Sequence, residues 1–229
     1  MANTAVVYGR EYDGEPLTFT ASGGLIHSAL VLQDRETKSY WAIMAGEAIA
    51  GKKLGTPLRQ LEIGERMRWK EWLQKHPDTL VLSVAGQEDA PKGYGNYYIA
   101  PHGFRNMRAK DNRMRTKEPV FAFSLGGRKF AVKHKDIAGG RLFDIDSSRV
   151  FLFRLKKSGL HRSTVAFIIE SLNFQRENGE WADRHARCRF DRHTRQFVHE
   201  GEPCAKKMLG IDTFWYTWSL TNPDTQVLK

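Results

Sequence analysis

The stretch Trp69-Lys70-Glu71-Trp72, followed by Pro77-Asp78-Thr79 and Val81-Leu82, occurs a second time as Trp215-Tyr216-Thr217-Trp218, Pro223-Asp224-Thr225 and Val227-Leu228, at identical internal spacing. The match uses four of the six tryptophans, and a glycine stands ahead of each copy, Gly64 and Gly210. It reads as an internal repeat, and a repeat constrains architecture before any local assignment. Each copy predicts a short helix running into a strand. Trp69, Trp72 and Leu73 fall at i, i+3 and i+4 and so share one helical face. His76-Pro77 and Asn222-Pro223 end the helices, because the residue before proline is pushed out of the helical region, and Asp-Thr turns the chain into Leu80–Ser83 and Gln226–Leu228. Paired indoles at this spacing are expected in the core rather than on a stacking platform for a sugar or base.

The rest of the chain is rich in strand signals. Ala5–Arg10 and Leu17–Thr20 flank Asp13-Gly14, Ala29–Gln33 and Ser39–Met44 flank Asp34-Arg35-Glu36-Thr37, and Val120–Leu125 and Arg128–Lys133 flank Gly126-Gly127, a two-residue loop suited to positive φ. Arg149–Arg154, Thr164–Ile169 and Ala186–Phe190 supply further strands. Asp34-Arg-x-Thr recurs as Asp191-Arg-x-Thr194, so the similarity reaches beyond the tryptophans. The expected fold is mainly β with short helices, in two repeat-related β units, the first incomplete at its N-terminus. The first unit takes residues 1–84, a connecting segment rich in Gly, aromatic and basic residues takes 85–117, and the second unit takes 118–229. Pro119–Asp146 precedes the strand Arg149–Arg154 in the second unit and has no counterpart ahead of Ala5–Arg10. Met1 therefore reads as an internal methionine of a longer relative or as an eroded start, with Tyr94–Tyr98 expected to cap the edge left open.

Composition narrows the function classes. With 36 Lys+Arg against 26 Asp+Glu the net charge is +10, which favours an anionic ligand or an acidic protein as partner. The densest basic run, Phe104–Lys117, makes Arg105, Arg108, Lys110, Arg113 and Arg115 the anion-binding candidates. Nucleic acid is the weaker reading, since no reader motif accompanies the charge. No window has the length of a membrane span, and residues 1–8 carry neither a basic leader nor a cleavable apolar stretch, so the chain as written reads as cytoplasmic, or as envelope-bound or exported if the true start lies upstream.

Chemistry is sparse. His185, Cys188, His193, His199 and Cys204 crowd one region, but their spacing fits no zinc pattern, and strand alternation makes Cys188 a small core residue. Cys188 and Cys204 are expected to form neither a bridge nor a metal pair, and no cofactor is expected. Gly51-Lys52-Lys53-Leu54-Gly55-Thr56 lacks the Gly-Lys-Ser/Thr order of a phosphate loop. Glu47, among small and apolar residues, would have a raised pKa if buried. His27, Trp41, Glu47, Tyr94 and Tyr97 are the ligand-binding candidates, the tyrosines from Gly93-Tyr94-Gly95-Asn96-Tyr97-Tyr98. No nucleophile, base and orienting group can be read together. The expected function is a non-catalytic binding or structural module. Its rivals are an enzyme with a site near Trp41 and Glu47, and a basic binder of nucleic acid or an anionic surface.

Asp13-Gly14, Leu17-Thr18-Phe19, Ser22-Gly23, Leu30-Val31, Asp34-Arg35-x-Thr37, Ser39-x-Trp41 and Gly46-Glu47-Ala48-Ile49-x-Gly51 together resemble the prokaryotic family known as domain of unknown function 3179, DUF3179. The resemblance continues through Trp69, Trp72, His76-Pro77 and Leu80–Ser83 and resumes at Arg113–Val132. It implies no assigned activity. Similar proteins usually carry a Cys-Pro-x-Cys segment just before the residues matching Asn3-Thr4, where this chain has Met1-Ala2. The position after Trp41 is often Gln and is Ala42 here. A thiol, metal or redox role of those paired cysteines is therefore not carried over. Family members are often exported or envelope-attached.

Overall fold

The computed structural model describes residues 2–62, 66–83, 94–156, 163–169, 173–177, 179–183 and 187–229. Gly64, Gly93, His185 and Ala186 lie outside the described residues. The chain is mainly β with a few short helices.

Asp13 and Gly14 both take positive φ, and this turn closes a two-stranded hairpin of β1 (Glu11–Tyr12) and β2 (Glu15–Pro16). The hairpin is shorter than expected. Ala5–Arg10 is not a strand; Tyr8 alone bridges to Gln60. An antiparallel sheet follows in sequence order, β3 (Phe19–Ile26), β4 (Ala29–Asp34), β5 (Tyr40–Ala42) and β6 (Glu47–Ala50). Its β4–β5 turn is organised by Asp34, whose carboxylate accepts from the Thr37 and Ser39 backbone N–H groups at 2.5 and 3.1 Å and from the Trp41 indole at 2.8 Å. Burial alone would raise the Asp34 pKa, but these bonds outweigh it and hold the carboxyl below the usual range. Two helices come next, α1 (Trp69–Lys75) and α2 (Gly95–Ile99).

The remaining strands form three sheets. β7 (Pro119–Leu125) and β8 (Arg128–Lys133) make the expected hairpin, with Gly126 and Gly127 at φ 56 and 76. β9 (Arg141–Ile145), β10 (Ser148–Phe153) and β11 (Val165–Ile169) lie antiparallel. β12 (Phe174–Glu177), β13 (Glu180–Asp183), β14 (Arg189–Asp191), β15 (Gln196–His199) and β16 (Glu202–Pro203) form a five-stranded meander. β17 (Lys206–Lys207) joins β11, and β18 (Ile211–Phe214) joins β7. α3 (Trp215–Thr221) follows directly, and β19 (Gln226–Val227) then pairs in parallel with β8.

The core crosses the expected boundary between units. Ala2, Ala29 and Met44 pack in one cluster with Val120, Trp215 and Trp218. A second cluster fills the space under β7–β10, and a third, dominated by phenylalanines 151, 153, 167, 174, 190 and 197, lies between β10–β11 and the meander. Trp41 anchors a smaller cluster with Tyr12, Leu17 and Ala48.

Two expectations are overturned. Cys188 and Cys204 form a disulfide, with Cα atoms 5.9 Å apart. Cys188 is buried and alternates with exposed Arg189, as expected of a strand. What the spacing hid is that the meander runs out along β14, back along β15 and out again to β16, which returns Cys204 beside Cys188. The second correction concerns α1, which buries none of its residues.

Candidate functional site

Most of the structure around the site depends on β18. All four of its residues are buried, although one of them is an aspartate. The Asp212 carboxylate accepts the Thr164 backbone N–H at 2.7 Å, the Thr164 hydroxyl at 2.6 Å and Arg154 Nη1 at 3.0 Å, and His134 Nε2 lies 2.7 Å away. Burial pushes the Asp212 pKa up, but His134, Arg154 and Thr164 outweigh it and hold the carboxyl below its ordinary value. Burial holds the His134 imidazole below its ordinary value despite the pull of Asp212, so Arg154 is the standing counter-charge. With both oxygens taken by Thr164 and Arg154, Asp212 is built to hold strands together rather than to take a proton from a ligand. A cavity of about 270 Å³ borders the cluster, with Thr164, Asp212, Arg195, Gln196 and Lys207 in its wall.

The next residue of β18, Thr213, donates its hydroxyl to the Ala2 carbonyl at 2.8 Å, and Thr4 donates to the Asp212 carbonyl at 3.1 Å. These bonds fix Ala2–Thr4 along β18 and leave Asn3, in left-handed backbone with φ 57, facing a cleft of about 550 Å³. The far wall is Leu25 and Leu30 of β3 and β4 with Ile43 just past β5; the other is Tyr94, Tyr97 and Tyr98. Phe214 backs the tyrosines, 6.4 Å from the Tyr97 ring and 6.3 Å from the Tyr98 ring. Gly103 is needed here, because a side-chain carbon at that position would run into the Tyr216 ring, whose hydroxyl bonds that of Tyr97 at 3.1 Å. Burial and this partner push the Tyr97 pKa up, so the phenol stays neutral.

One end of the cleft is polar. Arg66 donates to the Asn3 carbonyl at 2.8 Å and to Asn3 Oδ1 at 3.1 Å, which fixes the amide's orientation and turns Nδ2 away from the guanidinium. Asn3 Nδ2 is buried and makes no hydrogen bond.

The sequence-derived candidates divide in two. Tyr94 and Tyr97 both line the cleft. Trp41 does not; it is wholly buried, with its ring 5.0 Å from Tyr12 and its indole N–H on Asp34. Glu47 starts β6 with an exposed side chain, so Trp41, Glu47 and the tyrosines are not brought together. His27, in left-handed backbone, lies 3.0 Å from Thr221 Oγ1. Thr221 gives its proton to the Thr217 carbonyl, so His27 Nδ1 is the donor; burial and then the Lys110 charge lower its pKa. Among the basic candidates, Arg113 clamps Asp111 and lies over the Trp215 ring, and Arg115 pairs with Glu118 at 3.0 Å. Arg105 stacks over Phe104. Arg108 and Lys110 have no ion-pair partner among the described residues. Lys117 donates to the Tyr97 carbonyl and sits 4.0 Å from the Tyr97 ring centroid. Among the described residues no three His, Cys, Asp or Glu side chains are grouped to hold a metal, and no helix is long and apolar enough to cross a membrane.

Asn3, Arg66 and the Asp212 cluster were not singled out by sequence. The available signal was Asp212 itself, a lone charge in Ile211-Asp212-Thr213-Phe214-Trp215, where a buried carboxylate requires partners from elsewhere in the chain.

Fold and site describe a mainly β protein with a tyrosine-walled cleft and a buried, fully bonded carboxylate. Residues 1–225 match the family described as protein of unknown function (DUF3179), and the chain belongs to that family. It lacks a double-cysteine motif: its two cysteines are 16 residues apart. No curated protein and no solved structure matches it.

Proposed function

We propose that the protein is a non-catalytic binding module whose ligand lies in the tyrosine-walled cleft. The observation that carries this reading is a cleft of ligand size walled by Tyr94, Tyr97, Tyr98, Leu25, Leu30 and Ile43, with Asn3 and Arg66 at one end. Such a site suits a small molecule with an apolar or aromatic body and a polar group at one end, a carboxylate being the form that the net charge of +10 favours. Aromatic walls contribute area and the polar end contributes orientation. Benzoate and indole-3-acetate are suitable probes, with benzylamine as the control of opposite charge. We expect the carboxylates to bind by calorimetry with Kd on the order of 1 mM or tighter. Leu30→Trp, which fills the cleft, should abolish this binding. No heat with either carboxylate, or equal binding of benzylamine, would reject the site.

The division at residues 84 and 117 and the kinship of two units belong to the same reading, supported by the shared turn geometry of the two tryptophan segments. Expression of residues 118–229 alone tests it: a cooperative unfolding transition supports the division, and an unfolded fragment defeats it. The disulfide supports an oxidising compartment over a reducing one, since such bonds persist in the former. Thiol labelling in a native extract, before and after reductant, checks this; two free thiols before reduction would count against it.

A further inference from the structure

The segment after α1 is the most exposed apolar stretch of the described chain: Leu80 is 95% and Leu82 93% exposed, and Trp69 of the helix is 52% exposed. The matching residues after α3 show what such a segment is shaped for. There Gln226 and Val227 form β19 beside Phe130 and Ala131, and the Leu228 N–H donates to the Ala131 carbonyl at 2.9 Å. The turn that launches both segments is the same: Thr79 N–H to His76 O and Thr225 N–H to Asn222 O are each 3.2 Å. Leu80–Leu82 thus leaves its turn as β19 does, but no strand among the described residues receives it.

We propose that the receiving edge belongs to a second copy of this chain, each protomer laying Leu80–Leu82 along β3 of its partner. β3 is an outer strand of its sheet, paired only with β4 among the described residues. It is eight residues long, with a bulge between Ala21 and Leu25, and beyond the bulge it exposes Leu25 and Ile26, a short apolar edge that can take another strand. Charge selects the same edge. α1 brings exposed Arg68 and Lys70, and the hairpin ahead of β3 carries exposed Glu11 and Glu15, which form no ion pair among the described residues. With a parallel pairing like that of β19 on β8, the helix before the donated strand falls at the start of the receiving strand, where Glu15 stands. One donor and one acceptor per chain close into a two-fold pair.

Sedimentation velocity and light scattering on the whole chain test this. A dimer is expected at concentrations of about 100 µM. Leu82→Lys and Ile26→Lys, neither of which lines the cleft, should each weaken it about 10-fold or more with an unchanged circular dichroism spectrum. Lys70→Glu should weaken it, and adding Glu15→Lys should restore it. A monomer throughout that range overturns the proposal, as does a dimer indifferent to these substitutions. Pelleting of a monomer with phosphatidylserine vesicles would likewise overturn it, in favour of an anionic bilayer as the occupant.

Discussion

Trp72 and Trp218 hold the same bonds in different surroundings. Each indole N–H donates to a threonine hydroxyl seven residues on, Thr79 or Thr225, at 2.8 Å. Each helix is capped by the backbone N–H of His76 or Asn222, at 2.7 and 2.8 Å. Yet α3 buries five consecutive residues, from Trp215 to Ser219, and α1 buries none. The Asp-Arg-x-Thr turns reverse the pattern: Asp34 is wholly buried and bonds Trp41, whereas Asp191 bonds His193 and Thr194 near the surface. Local sequence therefore specifies a turn, its cap and its internal bonds. Burial is conferred by what the rest of the chain lays over them, which for α3 is β7, β18 and the 109–118 segment.

The widest gap between the two helices is expected in their tryptophans. Trp218→Ala should cost about 3–5 kcal/mol, as for large aromatic truncations in cores. Trp69→Ala should stay within about 0.5 kcal/mol, as for surface positions. The half-buried Trp72 should fall between, and a Trp72→Ala loss in denaturant unfolding equal to that of Trp218 would erase the distinction. Next comes the cross-link, which ties the C-terminal meander and leaves α1 untouched. Reduction should cost about 3 kcal/mol for a loop of this size, seen as a lower denaturant midpoint. Thr225→Val strands a buried indole N–H and should cost about 1–3 kcal/mol, while Thr79→Val, where water replaces the hydroxyl, should cost less than about 1 kcal/mol.

The smallest effect is one of pH. The depressed pKa of His134 means that the unfolded chain binds its proton more readily than the folded one. Stability from this source is full above the unfolded value of about 6.5 and declines as pH falls below it. Asp212, also depressed, adds a further loss as pH falls below about 4. His27, with the same direction of shift, adds to the first decline. Melting temperatures from pH 7.5 to 5 should fall less steeply in His134→Asn than in the parent chain, and parallel slopes would remove His134 as the cause.

Much of the architecture was legible because it is local. Gly126-Gly127, Asp13-Gly14 and the prolines at 77 and 223 specify turns and helix ends through backbone geometry alone, and strands stand where they were expected on either side of the glycine pair. Tyr94 and Tyr97, chosen as ligand candidates for their place in a glycine-rich connection, line the cleft. What failed was non-local. The Cys188–Cys204 pairing depends on two successive hairpins in the meander, and the exposure of Trp69 on which elements happen to lie nearby. Asn3 and Arg66 are 63 residues apart and meet only because β18 holds the chain at Ala2–Thr4. No spacing rule within the chain carries that information.

The anchoring of Ala2–Thr4 on β18 also sets a schedule. Thr4 and Asp212 are separated by 208 residues, so the cleft's polar end cannot form until Asp212 has left the ribosome. At about 5–20 residues per second, that interval is on the order of 10–40 s. Through that time the N-terminal segment waits without its strand, and the β3–β6 sheet has to stand largely on its own contacts. Contacts of such high sequence separation also slow the final closure, because the loop entropy is lost before the bonds repay it. β18 thus completes the site that Ala2–Thr4 begin.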